Sequence, residues 1–245
     1  MKLLVKQLRP KNKDGSFCYN KTMSKQSRGD KGEALVKECL ESMSGYHQII
    51  NDFTYFNKRS EMSHQIDHIF IHPHGVFVIE TKAYYGKIIS DTHDSFWIKE
   101  VNGEQVKIAN PLKQNKSHAF IILKILKGKY DVIPVVVFTH NNAPYMDDNV
   151  INLNDLPLFI ESYPFKKKLS KKQIDGAYKS ITNRSSDISK EEHVENISYL
   201  KQIKKEIRDE MSYAIENNKC PRCGHPFVHR GYDFFCSYCD FKFKL

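Results

Sequence analysis

An aspartate, a glutamate and a lysine carry the first chemical signal in this sequence. In HQIDHIFIHPHGVFVIETK (64–82), two apolar runs flank a turn-prone HPHG, and Asp67, Glu80 and Lys82 sit within those runs. If HPHG closes a hairpin with Ile71 opposite Val76, then Ile69 faces Val78 and Asp67 faces Glu80. Phe70 then meets Phe77 on the other face, which favours this register over one shifted by a residue. The two carboxylates would have Cβ atoms about 5 Å apart, and like charges opposed on a sheet are destabilising. Lys82 points to the same face as Glu80. One reading is a cross-strand ion cluster at the frayed end of a hairpin, with the lysine neutralising one acid. The other is a divalent cation. One lysine against two acids leaves negative charge in partly dry surroundings. Mg²⁺ favours one or two carboxylates completed by water and substrate phosphate. A lysine beside two carboxylates stays protonated, which suits electrostatic stabilisation better than a general-base role.

A second signal lies in NKCPRCGHPFVHRGYDFFCSYCDFKFKL, the last residues of the chain. Cys220, Cys223, Cys236 and Cys239 form two C-x2-C pairs, spaced for a tetrahedral Zn–S₄ site. The bland alternative is four unrelated thiols. The sequence has six cysteines, and the other two, Cys18 and Cys39, are scattered and read as free thiols. In a reducing compartment the clustered set reads as a metal site and not as a disulfide framework. So short a module cannot bury enough core without its metal. Bases and rings interleave through it: Arg222, His229, Arg230, Tyr232, Phe234, Phe235, Tyr238, Phe241, Lys242 and Lys244. That mix suits stacking on bases with phosphate neutralisation. The alternative is that several rings are simply the module's small core, with Phe234 or Phe235 expected there.

The rest of the chain is consistent with such partners. It has 245 residues and a formal charge of +9, which suits either a polyanionic partner or a lysine-rich surface. No apolar run approaches the ~20 residues of a membrane helix. The start, MKLLVKQLRPKNK, is too charged for a secretory signal, so a cytoplasmic location is expected.

Hydrophobic periodicity supplies the elements that would position these groups. GDKGEALVKECLESM (29–43) reads as a helix, with Leu35, Val36, Cys39, Leu40 and Met43 at helical spacing. Strand-like runs follow at YHQIINDFTYF, in the two arms of the hairpin, at GKIIS and at FWIKEV. NPLKQNKSHAFIILKIL is a helix with Asn110 as N-cap and Pro111 at its first position. VIPVVVFTH (132–140) reads as a strand buried on both faces. INLNDLPLFIESY supplies a last short strand and helix. The basic FKKKLSKKQ (165–173) leads to a long helix from about Ser189, where Ser189 and Glu192 have capping-box spacing. Val194, Ile197, Leu200, Ile203, Ile207, Met211 and Ile215 form its apolar stripe, read as docking or linker surface. The order predicts an α/β fold, a mixed sheet flanked by helices.

Three motifs in order carry a resemblance. GDKGE (29–33), QIDHIFIHPHGVFVIETKAYYGKI (65–88) and NPLKQNKSH (110–118) resemble the NERD, or nuclease-related domain, family of the PD-(D/E)xK nucleases. Here Gln65-Ile-Asp67 stands in place of a literal PD. The resemblance implies a restriction-endonuclease-like fold and metal-dependent hydrolysis of phosphodiesters, DNA above all, with RNA also possible. It implies that Asp67, Glu80 and the backbone carbonyl of Thr81 bind Mg²⁺ (or Mn²⁺), and that Lys82 orients the attacking water or stabilises charge on phosphorus. It makes Gln114 an active-site contact. For Glu33 it implies assistance to the metal, against a capping-box reading of Asp30 and Glu33. His118 shares a helical face with Gln114, but reads as a partly exposed helix histidine. His68, His72, His74 and His140 lie near strand ends. The cysteine module resembles the C-terminal zinc ribbons of bacterial type I topoisomerases, which contact single-stranded DNA. The expected organisation is a polar segment (1–28), a nuclease-like domain (29–163), a basic and helical linker (164–217) and a zinc ribbon (218–245). Its expected work is DNA processing or defence against foreign DNA. The rival is a non-cleaving DNA- or RNA-binding adaptor with a nuclease-like domain.

Overall fold

A computed structural model describes residues 25–58, 60–90, 94–144, 147–165, 167–239 and 241–244. The expectations for residues 1–24, Cys18 included, and for the side chain of Lys244 lie outside the described residues. The chain divides into two compact units. The first runs to Phe53 and again from Ile66 to Arg184; the second takes Thr54–Gln65 and the chain from Ser185 onward.

Most of a central sheet lies in the first unit. Its strands are β1 (Gln48–Asn57), β2 (Met62–His72), β3 (Gly75–Lys82), β7 (Val132–Phe138) and β8 (Val150–Asn152), which lie side by side in that order. β2 and β3 pair antiparallel, with His72 opposite Gly75, Ile71 opposite Val76, Phe70 opposite Phe77 and Ile69 opposite Val78. The register is the one that places Asp67 toward Glu80. β3 and β7 pair parallel, as do β7 and β8, so the sheet is mixed.

The continuous apolar run of β7 is explained by its position between β3 and β8. Val135, Val136, Val137 and Phe138 are all fully buried. Val135 and Val137 pack under α1 (Lys25–Glu41) and α3 (Leu156–Ser162), with Val36, Leu40, Phe77 and Ile160. Val136 and Phe138 face the other way, toward Leu112 of α2 (Pro111–Ile125) and Trp97. Trp97 belongs to a separate antiparallel sheet of β4 (Lys87–Ile89), β5 (Phe96–Val101) and β6 (Glu104–Ala109). The Asn110 side chain caps α2, accepting from the N–H groups of Leu112 and Lys113 at 2.9 and 3.2 Å.

Several local expectations need correction. The first helix is already formed at Lys25, so Asp30 lies inside it. A residue in the helix interior lacks the extended backbone an N-cap requires, which removes the capping-box reading of Asp30 and Glu33. Leu35 is 43% exposed and not part of the core face. Apart from these corrections, the segment expected as a basic and helical linker contains α4 (Lys171–Thr182), whose Ile174, Ala177 and Ile181 are at most 1% exposed.

In the second unit, α5 (Lys190–Asn217) begins at the expected capping box. Glu192 N–H donates to Ser189 Oγ at 3.1 Å, and Ser189 N–H to Glu192 Oε2 at 2.8 Å. Most of its apolar stripe is not buried: Val194, Ile207 and Ile215 are exposed, and only Ala214 is buried in this helix. Among the described residues, no helix is long and apolar enough to cross a membrane.

Candidate metal and nucleic-acid sites

The carboxylates and lysine of the hairpin meet where β2 ends its pairing with β3. Asp67 Oδ2 accepts from the backbone N–H of Thr81 at 2.8 Å, which fixes the carboxyl across the strand from Glu80. Glu80 is 3% exposed. Its Oε1 is held by Lys82 Nζ, and its Oε2 lies 3.5 Å from His118 Nδ1 of α2. Lys82 Nζ also lies 6.0 Å from the centre of the Tyr84 ring.

The two acids respond oppositely to one environment. Burial, then the Glu80 charge, push the Asp67 carboxyl up to about 8; Glu33 adds to that push, while Lys82 and the Thr81 N–H oppose it. Burial favours the neutral form of Glu80 too, but Lys82 and His118 outweigh it and hold that carboxyl at about 2. Burial works against the Lys82 charge, yet Glu80 outweighs it and keeps the ammonium above its ordinary value. Two close carboxylates cannot both ionise in a dry site, so one retains its proton. At neutral pH this leaves one anion, one cation and one neutral acid. The donor set fits a divalent cation, which would let Asp67 ionise as well.

Helix α1 reaches this end of the sheet because Gly32 lets it. A Cβ at Gly32 would stand 3.0 Å from Ala83 Cβ and 3.4 Å from Thr81 Cγ2. The next residue, Glu33, is half-buried, and its charge acts on Asp67. Gln114 is exposed, one turn before the buried His118.

Two residues matter more here than their sequence reading indicated. His118, read as a partly exposed helix histidine, is 5% exposed and contacts Glu80. Asn115 is fully buried, and its Nδ2 donates to the carbonyls of Val78 and Val135 at 2.9 and 2.8 Å. It ties α2 to both strands. The available signal was a polar residue in the stripe formed by Leu112, Asn115, Ala119 and Ile122. Asn115→Ala is expected to lower the unfolding free energy by about 2 kcal/mol or more, because two carbonyls lose a buried donor. Chemical denaturation measures this, and an unchanged midpoint would contradict it.

The cysteines converge as their spacing predicts. The four Sγ atoms of Cys220, Cys223, Cys236 and Cys239 all lie within 4.8 Å of one another. Cys220–Cys239 and Cys223–Cys236 are 3.5 and 3.4 Å apart. A tetrahedron with Zn–S bonds of ~2.3 Å has edges of about 3.8 Å, so the cluster fits Zn²⁺. Among the described residues this is the one group of three or more side chains that could hold a metal in this way. The N–H groups of Cys239 and Tyr238 both point at Cys236 Sγ from 3.4 Å, and pull that thiol down to about 6. The knuckles sit on an antiparallel sheet of β9 (Phe227–Arg230), β10 (Asp233–Cys236) and β11 (Lys242–Lys244).

Of the two rings expected in the ribbon's core, Phe234 packs against it, and Phe241 joins it as the most deeply buried ring. Phe241 is the buried ring at 6% exposure; Phe234 is only partly buried and stacks on Phe243, while Phe235 is also only partly covered. Phe241 packs with Ala214, Cys220 and Cys236. Arg222 lies over it at 4.9 Å, and Arg230 lies 5.8 Å from Phe235. Arg222, Arg230, Tyr232, Tyr238 and Lys242 are all exposed. The Tyr238 ring is held parallel to His225, with centroids 4.0 Å apart and planes 6° apart.

A mixed sheet flanked by helices, with two carboxylates and a lysine gathered at one strand end, is the arrangement that the sequence resemblance implies. Residues 28–139 match the model of the NERD family, the nuclease-related domain. The chain is also similar to pXO1-01, an uncharacterized protein of Bacillus anthracis, with 27% identity over 180 residues that cover 71% of this chain and 84% of the relative. No solved structure matches the chain.

Proposed function

We propose that the protein is a metal-dependent nuclease that hydrolyses phosphodiester bonds of DNA and grips its substrate through a C-terminal zinc ribbon. The observation that carries this reading is the facing of Asp67 and Glu80 across one strand pair, with Lys82 on Glu80, inside a nuclease-related domain. Asp67, Glu80 and the Thr81 carbonyl would hold Mg²⁺ or Mn²⁺, which would polarise the phosphate and activate water. Lys82 stays protonated and stabilises the charge that builds on the phosphate oxygens. Glu33 adds negative charge beside Asp67. Gln114 contacts substrate from the exposed rim of α2. His118 orients Glu80. His118→Ala is expected to weaken Mn²⁺ binding by about 10–100-fold, as loss of a group that orients a metal-binding carboxylate does. Titration calorimetry checks this, and unchanged affinity would remove His118 from the site.

In the ribbon, Arg222, Arg230 and Lys242 would neutralise phosphates, and Tyr232 and Tyr238 would stack on bases. Two binding modules on one chain raise the local concentration of substrate for both. We place the protein in the cytoplasm, working in DNA processing or in defence against foreign DNA.

The second reading is an adaptor that binds DNA or RNA without cutting. One observation favours it: with Asp67 protonated, the acid–lysine cluster is electrically balanced without a cation. Matched DNA and RNA single strands, incubated with the full-length protein and Mg²⁺, separate the readings. The nuclease reading predicts cleavage of the DNA. Tight binding of either strand with no cleavage in Mg²⁺ or Mn²⁺ would favour the adaptor.

A further inference from the structure

Arg28 of α1 meets Tyr85 and His140, from the segments that follow β3 and β7, at the strand ends that also carry the acid–lysine cluster. Tyr85 follows Lys82 by three residues. Its ring stacks on His140, just beyond β7, with centroids 4.0 Å apart and planes 28° apart. Arg28, one turn before Gly32 on α1, has its guanidinium carbon 6.0 Å from the Tyr85 centroid. All three side chains are partly exposed, and none belongs to the two apolar clusters of the sheet.

The backbone on both sides of Tyr85 is pinned. Asn142 Nδ2 donates to the carbonyl of Tyr84 at 2.9 Å and to that of Gly86 at 2.8 Å. Gly86 has φ +85°, and a Cβ there would fall 2.0 Å from the Glu100 carbonyl oxygen. The N–H of Thr139 donates to the Lys82 carbonyl at 3.1 Å, which anchors the residue before His140. A rigid backbone thus presents aromatic rings that the core does not absorb. Aromatic rings beside a guanidinium are what an unpaired nucleotide needs: a face for its base and a bidentate donor for its phosphate.

We propose that Arg28, Tyr85 and His140 form a subsite for single-stranded nucleic acid, holding a nucleotide that flanks the scissile phosphate. This rests on the reading of Asp67, Glu80 and Lys82 as the phosphodiester site. The three residues from Lys82 to Tyr85 span at most about 10 Å. The subsite therefore lies within a few nucleotides of the reacting phosphate. A base can stack on the His140–Tyr85 rings only if it has left its own neighbour, so the subsite selects single strands or frayed ends over intact duplex.

The test uses the full-length protein with Ca²⁺ in place of Mg²⁺, so that binding is read apart from cleavage. An oligothymidylate carrying one 5-iodouracil is bound and irradiated, and the crosslinked peptide is mapped. The expected crosslink is at Tyr85 or His140. Tyr85→Leu is expected to weaken single-strand binding by about 5–100-fold and leave blunt-duplex affinity unchanged, while Tyr85→Phe binds as wild type. Crosslinks confined to Tyr232 and Tyr238 of the ribbon would overturn the proposal. So would a folded Tyr85→Leu variant that binds the single strand normally. If Tyr85→Leu does not fold, the wild-type crosslink map decides alone. A protein that crosslinks at the stack but never cuts in Mg²⁺ would keep the subsite and lose the nuclease.

Discussion

Asp67→Asn is expected to lower metal-dependent cleavage by at least about 10³-fold without unfolding the protein. Asparagine keeps an oxygen to accept the Thr81 N–H, a bond of 2.8 Å in the wild type. It cannot supply the negative charge a cation requires. The variant should also gain stability relative to wild type as pH rises. The folded Asp67 carboxyl sits at about 8, far above the ~3.9 of an unfolded chain. A raised carboxyl stabilises the fold while it is protonated, and that contribution is lost as pH climbs from about 4 through about 8. The amide that replaces it has no such proton to lose. Thermal unfolding at pH 6 and pH 9, without added Mg²⁺, should show the variant gaining on wild type at the higher pH. A constant gap would contradict the assignment. Glu80→Gln is a poorer probe, because it leaves the half-buried Lys82 ammonium without its partner, a loss of about 3 kcal/mol or more.

Removing zinc is expected to unfold the ribbon and spare the sheet of the first unit. Zinc binding contributes about 10–16 kcal/mol in small modules of this kind, and that free energy is folding free energy. The ribbon's own core is only Ala214, Cys220, Cys236 and Phe241, with a few partly buried neighbours. A strong chelator, or Cys220→Ser, should therefore abolish amide protection through β9, β10 and β11 while β3 and β7 keep theirs. Affinity for single-stranded DNA should fall with it. Hydrogen exchange reads both units in one experiment. Protection of the ribbon that survives chelation would show that its fold does not depend on a metal.

What could be read from the sequence was local and periodic. The HPHG turn and the alternation on either side of it fix the hairpin register, and with it the meeting of Asp67 and Glu80. Asn110 and Ser189 announce their helices because capping depends on neighbours a few residues away. One further hairpin signal is equally local: Asn102-Gly103 closes β5 onto β6, with φ of +52° and +81°. This is the turn chemistry that Asn-Gly favours. α4 is obscured by the lysines around it, although Ile174, Ala177 and Ile181 have helical spacing. What α2 meets is a tertiary matter. Asn115 shares the helical stripe of Leu112, Ala119 and Ile122, but the carbonyls of Val78 and Val135 that it meets come into view only with β3 and β7 in place. The same holds for His118, since its burial and its contact with Glu80 need the sheet to be in place. Glu33 is ambiguous in sequence for a related reason: the close approach that Gly32 allows is visible only once Ala83 and Thr81 stand against it.

The most direct measurement is cleavage of circular single-stranded and supercoiled DNA by the wild-type protein, Asp67→Asn and Lys82→Ala, each with Mg²⁺ or Mn²⁺ and with neither. The expected result is cutting that requires the metal and disappears in both variants, and cutting of a circle would establish endonuclease action. Wild-type protein that binds these substrates through a zinc-loaded ribbon, yet is as inert as both variants, would contradict it.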